Sequence, residues 1–132
     1  MAKLDRFDHI HIYVKNRRAA EIWYQQVLGF TAVESLAFWA VGNGPLVLSH
    51  QELHLALFES QVEKRTTVAF GVDGDNFFLW QQKLAANEVA FTVSDHEVTW
   101  SIYFSDPDGN PFEITSLDYE AINVKMNQKV LS

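Results

Sequence analysis

Two short stretches, far apart in the chain, carry residues that could grip a cation or move a proton. Asp8-His9-Ile10-His11-Ile12-Tyr13-Val14 alternates polar with apolar residues. As a strand it turns the imidazoles of His9 and His11, at i and i+2, to one face. Near the other end, the turn Ser105-Asp106-Pro107-Asp108-Gly109-Asn110-Pro111 runs directly into Phe112-Glu113-Ile114-Thr115. Pro107 sets φ for a tight turn, and Gly109 can take the positive φ of a bulged hairpin. Glu113 then stands as one carboxylate among Phe112, Ile114 and Leu117. Such a group is costly to bury alone, so it is either solvated or holds a cation or a hydrogen-bond donor. The chain has no cysteine, which removes thiolate metal sites and any disulfide framework and leaves imidazole and carboxylate as the metal donors.

The elements that must position these residues recur in one order. Phe7 to Val14 reads as a strand, and Asn16 as the N-cap of a helix marked by Ala20, Trp23, Val27 and Leu28 and closed by Gly29. Strand-like pieces follow at Phe30 to Ala37, Phe38 to Val41, Leu46 to Ser49 and Leu53 to Phe58, with Gly42-Asn43-Gly44-Pro45 as a turn. After the polar stretch Ser60 to Arg65 the order starts again. Thr67 to Val72 is a strand, Asp75 a helix N-cap, and Phe77, Trp80 and Leu84 a helix face ending near Asn87. Val89 to Val93 and Val98 to Phe104 then pair around Ser94-Asp95-His96-Glu97, and the Asp106 turn leads to the last strand. Each half is β-α-β-β-β. The chain is 132 residues long and 48% apolar, which suits one α+β domain with a real core. Its modules run over about 5–60 and 66–119, with a tail, 120–132, of mixed pattern. Two curved mixed sheets with their concave faces forming a cleft are the expected architecture. Aligning Val14 with Val72 gives an offset of 72 − 14 = 58 and sets Thr67 opposite His9. Aligning Leu53 to Glu59 with Phe112 to Asp118 gives an offset of 112 − 53 = 59, by which His54 answers Glu113.

The opening motif Asp8 to Val14, followed by Ala19-Ala20-Glu21-Ile22-Trp23-Tyr24 and Val27-Leu28-Gly29-Phe30, resembles that of the vicinal oxygen chelate superfamily. Glyoxalase I, extradiol dioxygenases, fosfomycin-resistance enzymes and bleomycin-resistance proteins belong to it. Ser101-Ile102-Tyr103-Phe104 and Asp106 to Ile114 are similar to its closing motif, and the likeness covers Phe7 to Tyr119. The resemblance implies four ligand positions, which fall on His9, His54, Thr67 and Glu113. His9 and Glu113 match within local motifs. His54 matches through the repeat alignment alone, and a shift of two residues would nominate Ala56. Thr67 departs from the histidine many members carry, and its neutral hydroxyl is a poor ligand for a borderline divalent ion. Two imidazoles and a carboxylate remain, a set sufficient for Fe, Mn, Zn or Ni with open positions for substrate oxygens. The resemblance also suggests Tyr103 as an acid/base group, as in extradiol dioxygenases, with His11 lining the cleft or moving a proton.

Each residue has a plainer reading. His9 and Glu113 can form a hydrogen-bonded pair in a metal-free cleft, His54 can be a satisfied core histidine, and tyrosine is an ordinary strand former. His50 and His96 read as solvent-exposed loop residues. Trp23 and Trp80 read as core, whereas Phe38 and Trp39, on an inner strand, read as core or as substrate wall.

The formal charge of −7 argues against a nucleic-acid partner, whose phosphates it would repel. The N-terminus shows no apolar signal core and no run spans a bilayer, so a cytoplasmic protein without a membrane partner is expected. The leading expectation is a metal-dependent lyase or dioxygenase that binds adjacent oxygens of a small-molecule substrate. The rival is a metal-free protein that sequesters a cationic antibiotic, as bleomycin-resistance relatives do. By the same resemblance the chain is expected to be a homodimer.

Overall fold

The computed structural model describes residues 2–4 and 6–131. The chain forms two compact units, Met1–Arg65 and Thr66–Ser132. In the first, β1 (Ile10–Val14) leads into α1 (Arg17–Trp23), which ends in a π-helical turn, Tyr24–Leu28. Then come β2 (Thr31–Ala32), a 3-10 helix (Glu34–Ala40), β3 (Leu46–His50) and β4 (Leu53–Glu59). The sheet order is β1-β4-β3-β2, with β1 parallel to β4 and the other pairs antiparallel. Alternation along the strands sorts the side chains. Ile12, Val14, Leu55 and Leu57 are buried on one face together with the core that Tyr24, Val27 and Leu28 enter, and each such burial contributes about 1.5–3 kcal/mol. His9, His11, Tyr13, His54 and Phe58 share the other face.

The second unit repeats the plan as β5 (Val68–Gly71), α2 (Gly74–Ala86), β6 (Thr92–Asp95), β7 (Trp100–Ser105) and β8 (Pro111–Ser116), and adds α3 (Tyr119–Leu131). Its order is β5-β8-β7-β6, again with one parallel pair, β5 to β8. Phe104, Phe112, Ile102 and Ile114 are buried on one face, so Tyr103, Glu113 and Thr115 fall on the other. The β7–β8 turn is closed by Asp106. Its Oδ1 accepts from the backbone N–H groups of Asp108 at 2.9 Å and Asn110 at 2.8 Å, and its Oδ2 accepts from Asn110 Nδ2 at 2.8 Å. Gly109 takes the expected positive φ, 85°. Among the described residues no helix is long and apolar enough to cross a membrane.

Several expectations change. Phe30 to Ala37 and Phe38 to Val41 are not strands: only Thr31–Ala32 pairs with β3, and Glu34–Ala40 coils. The guanidinium of Arg17 donates to the carbonyls of Gly44, Ala40 and Gly42, the latter two at 2.7 and 3.3 Å. That grip gathers the segment into a compact loop and leaves Phe38 and Trp39 65% and 44% exposed. Asp73, not Asp75, caps α2: its side chain accepts from Asn76 N at 2.8 Å, while Asp75 lies in the first turn. Trp23 and Trp80 are half-buried rather than core. The buried stripes run through Ala20, Tyr24, Val27 and Leu28, and through Phe77, Phe78 and Leu84, so each tryptophan sits at the edge of its stripe. The strands assigned to Val89 to Val93 and Val98 to Phe104 fall at Thr92–Asp95 and Trp100–Ser105.

The tail that showed only mixed pattern is mostly α3, and it is fastened to its own unit. Ile122 is fully buried, and Asp118 Oδ2 accepts from Gly74 N at 2.8 Å, tying the start of α3 to the start of α2. Trp100 Nε1 donates to Asn123 Oδ1 at 2.9 Å, and Tyr119 OH donates to Asp95 Oδ1 at 2.7 Å.

Candidate functional site

In the first unit His9, His11 and His54 lie on one face of the sheet. Ile10 is paired with Leu55 and His11 with Ala56, so continuing the parallel register by one residue sets His9 beside His54 on the same face. His9 Nε2 lies 2.9 Å from His11 Nε2, a spacing at which one ring donates and the other accepts. Asp8 Oδ2 stands 3.4 Å from His9 Nδ1, which favours the Nδ1–H tautomer and leaves the lone pair on Nε2. The His11 ring packs on Phe58, centroids 4.7 Å apart. His54 is half-buried.

The second unit contributes the carboxylate. Glu113, half-buried on β8, faces Tyr103 across the antiparallel β7–β8 pair and Ala69 across the parallel β5–β8 pair. Its Oε2 accepts from Ser101 Oγ at 2.8 Å. Thr67 stands just before β5, on the Glu113 face by alternation, and it is exposed. The ladders revise the repeat alignment of the last strands. Ile10 pairs with Leu55 and Val68 with Phe112, an offset of 112 − 55 = 57. By register, then, Ala56 is the counterpart of Glu113. His54 lies one position earlier on the same face of its strand, at the level of His9. An alignment of apolar runs cannot detect this two-residue slip, because it keeps every side chain on its face.

Three further residues come into view. His96, read as a loop residue, is exposed but lies with Nε2 2.8 Å from Tyr103 OH, so the tyrosine has a proton-exchanging neighbour. Ser101, fully buried beneath Glu113, drew attention only as part of a motif; no sequence signal marks it apart from its place at i−2 to Tyr103. His50 is half-buried rather than solvated, with Nδ1 2.9 Å from the Leu28 carbonyl and its ring against Phe30, and so serves the fold.

Imidazoles on adjacent strands and a half-buried carboxylate are donors of the kind borderline divalent ions prefer. Thr67 adds only a hydroxyl, and among the described residues no three His, Cys, Asp or Glu side chains are gathered into a group that could hold a metal ion. The fit is therefore one of donor type and facing, carried separately by each unit.

Paired βαβββ units, each with a polar sheet face opposite its helix, define a glyoxalase-type protein. The sequence model described as Glyoxalase/Bleomycin resistance protein/Dioxygenase superfamily matches residues 6–114, and the chain belongs to that superfamily. Among solved structures, lactoylglutathione lyase from Agrobacterium tumefaciens is similar at 18% identity and a TM-score of 0.74, over 87% of this chain and 96% of that one. An integron cassette protein from the mobile metagenome of the Halifax Harbour sewage outfall matches at 21% identity and a TM-score of 0.74, over 86% and 100%. The fosfomycin resistance protein FosX from Mesorhizobium loti matches at 16% identity and a TM-score of 0.65, over 86% and 93%. At such identities the likeness is one of fold.

Proposed function

We propose that this protein is a small metal-dependent enzyme of its superfamily, a lyase or dioxygenase that binds adjacent oxygens of a small substrate on a divalent ion. What supports the reading is the parallel β1–β4 register, which continued by one residue puts His9 level with His54 on the face where His9 stacks on His11. Its complement is Glu113 on the polar face of the second. His9, His54 and Glu113 would hold the ion, whether Fe, Mn, Zn or Ni, and when bound it would act as a Lewis acid toward an enolate, catecholate or alkoxide. Tyr103, whose hydroxyl lies 2.8 Å from His96 Nε2, and His11 would carry a proton to or from the substrate. We further propose a cytoplasmic homodimer with no nucleic-acid or membrane partner. Metal analysis of protein purified without chelators, followed by Mn(II) and Zn(II) titration, tests the reading. His9→Ala and Glu113→Gln are each expected to weaken binding at least about tenfold. No stoichiometric metal and no uptake on titration would end it.

A second reading has its own support. His9 is already paired with His11, and Glu113 already has a hydrogen-bond donor in Ser101, so neither side chain needs a metal to be satisfied. On this reading the protein sequesters a cationic antibiotic. Bleomycin-type ligand binding unchanged by EDTA and by His9→Ala would favour it.

A further inference from the structure

Among the asparagines of the chain only Asn43 is followed by glycine. In such a pair the next backbone nitrogen can reach the side-chain amide carbon, because glycine puts no Cβ in the way. Asparagine is a thermolabile residue for this reason. Asp73-Gly74 and Asp108-Gly109 have the same spacing, but both pairs are tied. Gly74 N–H donates to Asp118 Oδ2 at 2.8 Å, and Gly109 N–H donates to the Asp106 carbonyl at 3.0 Å. An ionised carboxylate is also a poor electrophile. Asn43 is uncharged and exposed, in the turn between the 3-10 helix and β3. Among the described residues neither its side chain nor the Gly44 N–H takes part in a hydrogen bond. The fold itself demands the glycine, since a methyl group at position 44 would run into the Trp39 carbonyl.

We propose that Asn43 is a site of spontaneous amide loss, and that the product loosens the loop carrying Phe38 and Trp39. The Gly44 nitrogen gives up its proton and bonds to Asn43 Cγ. The Cγ–Nδ2 bond breaks, and the amide nitrogen leaves with that proton as ammonia. Water then opens the cyclic imide, giving aspartate by attack at Cγ or isoaspartate by attack at the α-carbonyl. Arg17 donates to the carbonyls of Gly42 and Gly44, on either side of Asn43. Isoaspartate inserts an extra carbon into the main chain between those carbonyls and frees an α-carboxylate next to them. A carboxylate binds a guanidinium more strongly than a carbonyl does, so Arg17 is drawn off the loop.

The test ages the whole protein for days at mildly alkaline pH. Conversion at each asparagine is followed by peptide mapping with mass spectrometry and by isoaspartate-specific enzymatic methylation. Asn43 is expected to lose its amide ahead of every other asparagine, largely to isoaspartate. Aged protein is expected to show faster amide exchange over residues 34–44 and nowhere else. Asn43→Gln, whose larger ring closes far more slowly, is expected to lose both changes. An Asn43 that keeps its amide in the folded protein while the urea-unfolded chain loses it overturns the proposal, because the loop then shields the site. Earlier conversion at another asparagine overturns it as well. Conversion at Asn43 with unchanged exchange over 34–44 overturns the effect on the loop.

Discussion

Asp95 and Tyr119 show how one contact can make a helix sensitive to acid and to base. The Tyr119 hydroxyl, ahead of the Glu97 backbone N–H, holds the Asp95 carboxyl below its ordinary value. The same contact pushes the Tyr119 phenol above its own. A carboxyl with a depressed folded-state pKa contributes stability that is present above its unfolded value and lost as pH falls through the folded one. A phenol with a raised pKa contributes stability present below its unfolded value and lost as pH climbs through the folded one. Docking of α3 is therefore expected to weaken below about pH 4 and above about pH 10. The Trp100 indole N–H, donated to Asn123 and adjacent to Tyr119, should report both limbs by NMR. An indole resonance that ignores pH from about 3 to 11 would refute the assignment. Asp95→Asn, which keeps an acceptor without the charge, should flatten the acid limb.

Among the elements, the 3-10 helix Glu34–Ala40 depends most on a single side chain. Arg17, from the start of α1, reaches across to the carbonyls of Ala40, Gly42 and Gly44. Hydrogen bonds from a charged donor contribute about 1.5–3 kcal/mol each when both partners leave water. Arg17→Ala is therefore expected to lower unfolding stability by about 1.5–3 kcal/mol in urea titration, with faster amide exchange confined to residues 34–44. Gly44 is a second check on the same loop. A methyl group there would run into the Trp39 backbone carbonyl, so Gly44→Ala should displace the loop at a cost of about 1–3 kcal/mol. Full stability in both variants would mean that the loop is held by something other than this grip. Repetition made β1, α1, α2 and β8 readable, since each pairs a 2- or 3.6-residue apolar period with a cap or a turn. The 34–40 segment lacked such a period. An apolar, aromatic run reads equally as strand or coil, and only its distant partner Arg17 decides. The tail was opaque for a related reason: among the described side chains of α3 only Ile122 is fully buried, and polar contacts to residues far along the chain hold the helix as well.

For the molecule as a whole, ligand binding is a stability measurement. A divalent ion that binds only the folded chain should raise unfolding stability by about 2.7 kcal/mol at a hundredfold excess over Kd. EDTA should reverse the gain, and Glu113→Gln should cut it to about half or less. Superimposable melting curves with and without Mn(II) would remove the ion from the account. The order β-α-β-β-β, its repetition and the facing of His9, His11 and Glu113 were all legible in the sequence, because side-chain alternation and turn chemistry are local and need no knowledge of neighbours. The tertiary structure decided the rest. It set His54 beside His9 rather than opposite the place of Glu113, brought His96 to Tyr103, and put a buried serine under the carboxylate. Each of these depends on which residues of separate strands come level, and strand register is settled by pairing between distant segments, a relation that no single stretch of sequence contains.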